Sequence, residues 1–409
     1  MENDSIIAMG QPKGLKAVLV GALALSCFLW GVLVTSVPKA QQDAEILRYP
    51  AFCDYRLFMV PCMTDDMPYR PSKLSAYNAC YPPIAYCIAG AIARDKGNGW
   101  EPSLREGVYL LSIMLSIFVG LVVIIRRFSP GWWFLTPLLL LSSGCVSPVL
   151  LGNPVGWAFS LVCVFLSWHG SEARVKRLAA AVALGLATAL KITPCLFGVL
   201  YLVRAPMKPR LWPWKDIAIA ATSAIIFTFV PFAVFGGFES IPLWFANARA
   251  NASHFGLADP IWGFVGFVNA LVRSEDIPSL GPYCLVATRF FACLLVISSV
   301  WTKGIYRKLL FLGAAMAFLT YHNYGGAYLV PAFVAWMGKT SEEMSNTPRI
   351  IVLLEASAWF LILTPLQFPN PVCPGTLNRV LQNESLFLLL IVAFAGLLLF
   401  DRAGKERIA

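Results

Sequence analysis

Charge is what this chain has least of. Of its 409 residues, 13% are Asp, Glu, Lys or Arg and 58% are hydrophobic, with a mean hydropathy of +0.68; soluble domains run to about 25% charged and about 45–50% apolar. That balance excludes an ordinary soluble domain. Three histidines and eleven cysteines without one Cys-x-x-Cys pair exclude a zinc-finger framework. No repeat period, no low-complexity tract and no matched pair of broken segments in the two halves is visible, which argues against a solenoid and against the common inverted-repeat transporters. The surplus of ten positive charges is not a nucleic-acid surface, because the basic residues stand in short clusters between apolar runs.

Long apolar runs are what is there. Spans of about 20 residues, shorter where helices break, fall near 15–36, 81–94, 107–125, 132–151, 154–168, 178–190, 192–203, 216–235, 283–301, 308–321, 324–337, 349–366 and 385–400. They predict an all-α, polytopic membrane protein of about 11–13 transmembrane or re-entrant helices. The expected organisation is a cytoplasmic tail at 1–14, one integral-membrane domain at 15–400 and a second cytoplasmic tail at 401–409. Residues 15–36 are as long as a span and lack a small-x-small cleavage site, so they read as an uncleaved helix.

Basic residues orient the chain. Placing the N-terminus, 94–107, 169–177, 203–215, 303–308, 339–349 and the C-terminus in the cytoplasm collects 20 of the 32 Lys and Arg residues. One parity conflict follows, because Arg126-Arg127 then falls on the outer side. Either 132–151 is a hairpin broken at Ser142-Ser143-Gly144 and Pro148, or 81–94 is re-entrant.

The water-facing stretch 37–80 holds five of the 22 acidic residues and is the place to look for chemistry. Asp54, beside Tyr55 and Arg56 in an apolar and aromatic run, suits a general base; Asp65 and Asp66, before Met67-Pro68-Tyr69, are its rivals. Cys53, Cys62 and Cys80 share this loop and Cys373 lies in a late one, so a disulfide is open if that face is oxidising, with the pairing undetermined. Lys191 closes a small-residue helix just before Thr193-Pro194. An ammonium among apolar residues is costly, about 2.5–3.5 kcal/mol on insertion scales, unless an anion accompanies it or the chain snorkels to the interface. Asn153, in Gly152-Asn153-Pro154, offers amide hydrogen bonds or simply a turn. The stretch 236–260, with Asn247, Asn251, Ser253 and His254, reads as a loop. Trp244 and Trp262 flank it as possible sugar contacts. His322 sits in a turn between two apolar helices, and His169 beside a basic cluster reads as structural.

The order of an Asp after the first helix, Pro68-Tyr69, and Tyr81-Pro82-Pro83 opening the second helix resembles glycosyltransferase family 87 of the GT-C class. Ala189-Leu190-Lys191-Ile192-Thr193-Pro194 is similar to the family's Ala-Leu-Lys-x-x-Pro signature. Gly152-Asn153 resembles its Gly-Gln-x-Asn element, with Asn in place of Gln and Val155 where Asn would stand. The resemblance covers most of 15–340. It implies a GT-C helical bundle that moves a sugar, mannose favoured, from a polyprenyl-phosphate-sugar donor to a lipid or glycan acceptor at the extracytoplasmic face of the cell's inner membrane. Inversion at the anomeric carbon, with no metal and no cofactor, is part of that implication. So are Asp54 and His322 as catalytic residues and Lys191, Tyr69, Tyr81, Asn153, Asn251, Ser253 and Arg56 as substrate-binding ones. The chain's partners are then donor, acceptor and membrane lipids, and no nucleic acid. A transporter or flippase of a lipid-linked saccharide is the alternative, and a ligase or polymerase moving whole glycans has similar topology.

Overall fold

A computed structural model describes residues 12–36, 69, 80–93, 102–202, 214–258, 281–302, 304–320, 323–339 and 349–364, and every regular element among them is helical. The expected span 385–400 and nearly all of the loop 37–80 lie outside the described residues. In order, the α-helices are α1 (Pro12–Ser36), α2 (Pro83–Ala93), α3 (Pro102–Phe128), α4 (Leu135–Leu140), α5 (Ser143–Leu151), α6 (Val155–Trp168), α7 (Arg174–Leu190), α8 (Val199–Leu202), α9 (Trp214–Phe229), α10 (Ile241–Ala258), α11 (Gly281–Trp301), α12 (Ile305–Thr320), α13 (Val330–Met337) and α14 (Arg349–Leu363). Short 3-10 turns at Thr193–Gly198 and Asn323–Leu329 lead into α8 and α13. The first of these stands where a continuous helix over 192–203 was expected, because Pro194 has no N–H to give an α-helical ladder.

Helix α3 shows what kind of surroundings the chain is built for. Tyr109, Ile113, Ile117, Leu121 and Ile124 form its buried stripe, yet Leu111, Leu115, Phe118 and Val119 on the other side are exposed. A helix that is apolar all round belongs in a large core or in lipid, and the exposed half here is left uncovered by the described residues. Among the described residues, two helices are long and apolar enough to cross a membrane, Leu104–Phe128 and Trp214–Ala233.

The packing fixes directions. Helix α3 touches the stretch from Gly152 through α6 at three successive levels. The Tyr109 hydroxyl donates to the Gly152 carbonyl at 3.0 Å, the Ser116 and Ser160 hydroxyls lie 2.6 Å apart, and the Ser167 hydroxyl reaches the Val123 carbonyl at 3.4 Å. The sequence separations, 43, 44 and 44, are nearly constant, so the two helices run parallel. Helix α7 returns antiparallel to α6. It then packs so closely on α9 that a Cβ built on Gly185 would stand 2.5 Å from the Ser223 Cβ; small residues let helix backbones meet in this way.

This arrangement settles the parity conflict. Helix α3 starts at the end that carries Gly152 and finishes, with Arg126-Arg127, at the end where α6 stops and α7 begins. Arg126 and Arg127 therefore join the 169–177 cluster instead of opposing it, and Arg105 moves to the other end. The segment 132–151 is not a hairpin: α4 and α5 carry the chain from Ser129 back to Gly152 in two pieces, separated at Leu141-Ser142. Pro148 lies inside α5 without ending it. Helix α2 is short, with only 11 residues, and it begins two residues after Tyr81.

Near the Arg126 end, buried charges tie α1, α12, α13 and α14 together. The Lys16 ammonium donates to the Met337 carbonyl at 2.7 Å and to the Lys339 carbonyl at 2.8 Å. Glu355, 3% exposed, accepts from the Tyr306 hydroxyl at 3.2 Å and from the Trp336 indole at 2.8 Å. Both satisfy groups that burial would otherwise penalise.

Candidate functional site

At the opposite end, four chain segments that are far apart in sequence converge on Tyr81. Helix α5 ends at Gly152, whose φ of 68° and ψ of 37° put it in the left-handed region that glycine tolerates best. The Asn153 N–H then donates back to the Pro148 carbonyl at 2.8 Å. This closes the helix and turns the Asn153 side chain inward, where it is 0% exposed. Its Oδ1 accepts from the Val155 N–H at 2.9 Å, covering one orphan donor at the start of α6, and its Nδ2 donates to the Tyr81 hydroxyl at 2.8 Å. An amide engaged at both ends in a dry site has one orientation.

Tyr81 is gripped from two further directions. Its N–H donates to the Tyr86 hydroxyl at 3.3 Å, and its carbonyl accepts from the Tyr69 hydroxyl at 3.1 Å. Tyr86 stacks on Phe235, while Tyr69 packs its ring against Phe232 at 5.7 Å and edge-on to Tyr86 at 6.0 Å. The Tyr69 carbonyl in turn accepts from Asn247 Nδ2 at 2.9 Å, and the Trp244 indole donates to the Cys80 carbonyl at 3.1 Å. Through Tyr69 the first loop is thus pinned to the helices.

Lys191 enters from the fourth segment. Its φ of −152° and ψ of 125° break α7 at the C-cap, and Pro194 opens the following 3-10 turn. The ammonium lies 5.4 Å from the centroid of the Tyr81 ring. A cation held over an aromatic face at that distance gains about 0.5–2 kcal/mol, depending on desolvation. Lys191 is partly exposed, so the break in α7 delivers a cation to the rim of the cluster.

Of the residues the sequence singled out, Lys191, Tyr69, Tyr81 and Asn153 are therefore brought together. Asn251 and Ser253 are not in a loop: they belong to α10, which continues to Ala258, so the expected loop over 236–260 is helical for most of its length. The reason is local, since 243–258 contains no Pro and only one Gly to interrupt it. Asp54, Arg56 and His322 lie outside the described residues, as do Cys53, Cys62, Cys373 and Trp262. Trp244 is corrected from a sugar contact to a buried anchor, 3% exposed. His169 is structural: Nδ1 lies 3.1 Å from the Leu166 carbonyl and 3.2 Å from that of Phe165, at the end of α6.

Tyr86 and Tyr109 escaped the sequence reading although both hold the site. The signal was available, because a buried phenol usually finds a hydrogen-bond partner and so tends to tie elements together.

The described residues thus form a helical fold, two of its helices long and apolar enough to cross a membrane, with a lysine set over a fixed tyrosine at a helix break. The sequence model of glycosyltransferase family 87 matches residues 80–322, well over half of the chain, which therefore belongs to that family. No curated protein and no solved structure matches it. Family membership makes the protein a glycosyltransferase.

Proposed function

We propose that the chain transfers a hexose or pentose, mannose favoured, from a polyprenyl-phosphate-sugar to a membrane-associated lipid or glycan acceptor, with inversion, on the extracytoplasmic side of the inner membrane. One observation carries the reading: the Lys191 cation is held against Tyr81, and Tyr81 is held by the buried Asn153 amide. A lipid phosphate has a negative charge to place at such a cation, and a lipid-exposed bundle is where its prenyl chain can remain in hydrocarbon.

In this reading the acceptor hydroxyl attacks the anomeric carbon as the bond from that carbon to the phosphate oxygen breaks. The electron pair leaves with the lipid phosphate, whose growing charge Lys191 balances. A donor aimed at developing charge is the commonest large term in such transfers. Asp54 takes the acceptor's proton, Arg56 and His322 attend the phosphate and the sugar, and Asn251 and Ser253 on α10 contact the sugar. Tyr69 and Tyr81 shape the floor between the first loop and the bundle. The basic clusters at the far end support a cytoplasmic assignment for that end, and hence an extracytoplasmic one for the site, in a GT-C bundle of about 11–13 spans or re-entrant helices.

The direct test incubates membranes containing the protein with radiolabelled polyprenyl-phosphate mannose and other polyprenyl-phosphate sugars, and follows label into lipid and glycan. Transfer that depends on Lys191 supports the reading. Label that never leaves the donor with any sugar tried, from protein shown to be folded, overturns it.

A further inference from the structure

A second cationic feature lies at the other end of the fold and has no part in the transfer just described. A cavity of about 370 Å³ opens where α3 and α6 finish and α7 begins. Arg126, Arg127 and Lys176 line it together with Ser167, Ser171 and Trp168, and among the described residues no acidic side chain does.

The charges there are unequal in origin. Arg126 and Arg127 occupy the last turn of α3, where a cation is favoured by the helix dipole, so the fold alone accounts for them. Lys176 has no such account. It stands in the first turn of α7, the place where carboxylates are favoured, and that turn carries Arg174, Lys176 and Arg177 with no acidic residue and no capping side chain. Arg177 is compensated by Asp216 at 3.6 Å and by the Ser171 and Glu172 carbonyls at 3.1 and 2.8 Å. Lys176 instead faces the cavity with the two arginines.

The hydroxyls discriminate as well. Ser167 spends its proton on the Cys163 carbonyl at 2.8 Å, whereas Ser171 accepts from the Ala173 N–H and keeps its own proton to donate. Two guanidinium forks, one ammonium and one hydroxyl surround a space large enough for a phosphate and part of what it esterifies. Arginine forks match phosphate oxygens in pairs, which a chloride or a single carboxylate would not use as fully.

We propose that this cavity binds a phosphate group, presented either by the headgroup of an anionic phospholipid or by a free phosphate. Trp168 at its wall is the side chain typical of the layer where hydrocarbon meets headgroups, which suits a lipid phosphate entering from the side.

The test uses the full chain, purified in a neutral detergent. Short-chain phosphatidylglycerol, short-chain phosphatidylcholine and inorganic phosphate are titrated separately, and bound lipid is counted by native mass spectrometry. The wild type is expected to retain phosphatidylglycerol over phosphatidylcholine. Lys176→Gln should weaken that preference about fivefold, and Arg126→Gln with Arg127→Gln should remove most of the remainder, at about fivefold per charge. Arg174→Gln removes the same charge from an exposed neighbour outside the cavity and should change little. All four positions are exposed, and size-exclusion profiles and melting temperatures identify any variant that unfolds. Inorganic phosphate that displaces the lipid at millimolar concentration names free phosphate as a competent source, and failure to displace it names the lipid; either supports the site. Equal retention of both lipids by the wild type, or equal loss in Arg174→Gln and Lys176→Gln, overturns it.

Discussion

The Asn153 amide nitrogen sits 2.8 Å from the Tyr81 hydroxyl, a contact between residues 72 positions apart that fixes the ring facing Lys191. Asn153 has no exposed surface, so its effect on a substrate passes through Tyr81.

Asn153→Ala should therefore behave as a positioning defect. It removes the partner of the Val155 N–H and one partner of the Tyr81 hydroxyl in a buried site, at a cost of about 1–3 kcal/mol in stability, and it loosens the setting of the Tyr81 ring. The expected result is a lower melting temperature together with a raised KM for donor lipid and a smaller change in kcat. Tyr81→Phe keeps the ring and loses only the hydroxyl, so it should fall between wild type and Asn153→Ala in KM.

Lys191→Met retains the length of the side chain without its charge. If the ammonium balances the leaving phosphate, turnover should fall by about 10²-fold or more, in the range seen when a donor to developing charge is removed. Lys191→Arg should recover part of it, since the charge returns in a planar fork instead of a point. A melting temperature equal to wild type in the Met variant would confirm that the loss is chemical.

For the base, Asp54→Asn should cost about 10²–10⁴-fold in rate while donor binding persists. The comparison is with Asp65→Asn and Asp66→Asn measured in the same membranes. A dead Asp65 or Asp66 variant beside an active Asp54→Asn would move the role to the other acid.

Direction of the helices can be checked without any substrate. In a variant cleared of reactive native thiols, cysteines introduced at Gly131 and Glu172 should react with an impermeant reagent from the same side, and one at Leu104 from the opposite side. Labelling of 104 together with 131 would show that α3 does not run between the two ends.

Much of this architecture was legible beforehand, because apolar length is written directly in composition. Helices over 15–36, 154–168, 283–301 and 308–321 emerge close to where hydropathy puts them. Lys191 was legible too: a cation between an apolar helix and a Pro has few bland explanations. What escaped was direction and partnership. Hydropathy is blind to whether a segment crosses or returns, so the 11-residue α2 and the two-piece passage through α4 and α5 needed the contacts of Tyr109, Ser116 and Ser167 to be told apart. The polar wording of 236–260 suggested a loop, yet α10 forms because Asn and Ser are tolerated in a helix when packing secures it, as Asn247 and Trp244 do by their bonds to residues 69 and 80.

Helix α3 joins the two ends as a single stiff rod. At about 1.5 Å of rise per residue, the stretch from Tyr109, beside Gly152, to Arg126, at the mouth of the basic cavity, runs about 26 Å. That is close to the hydrocarbon thickness of a bilayer, about 30 Å. The rod acts as a depth gauge: in a markedly thicker or thinner bilayer, Tyr109 and Arg126 cannot both lie level with the headgroups unless the helix tilts or the lipid deforms around it. Membrane thickness thereby becomes a variable to which the setting of Tyr81 and Lys191 is mechanically connected.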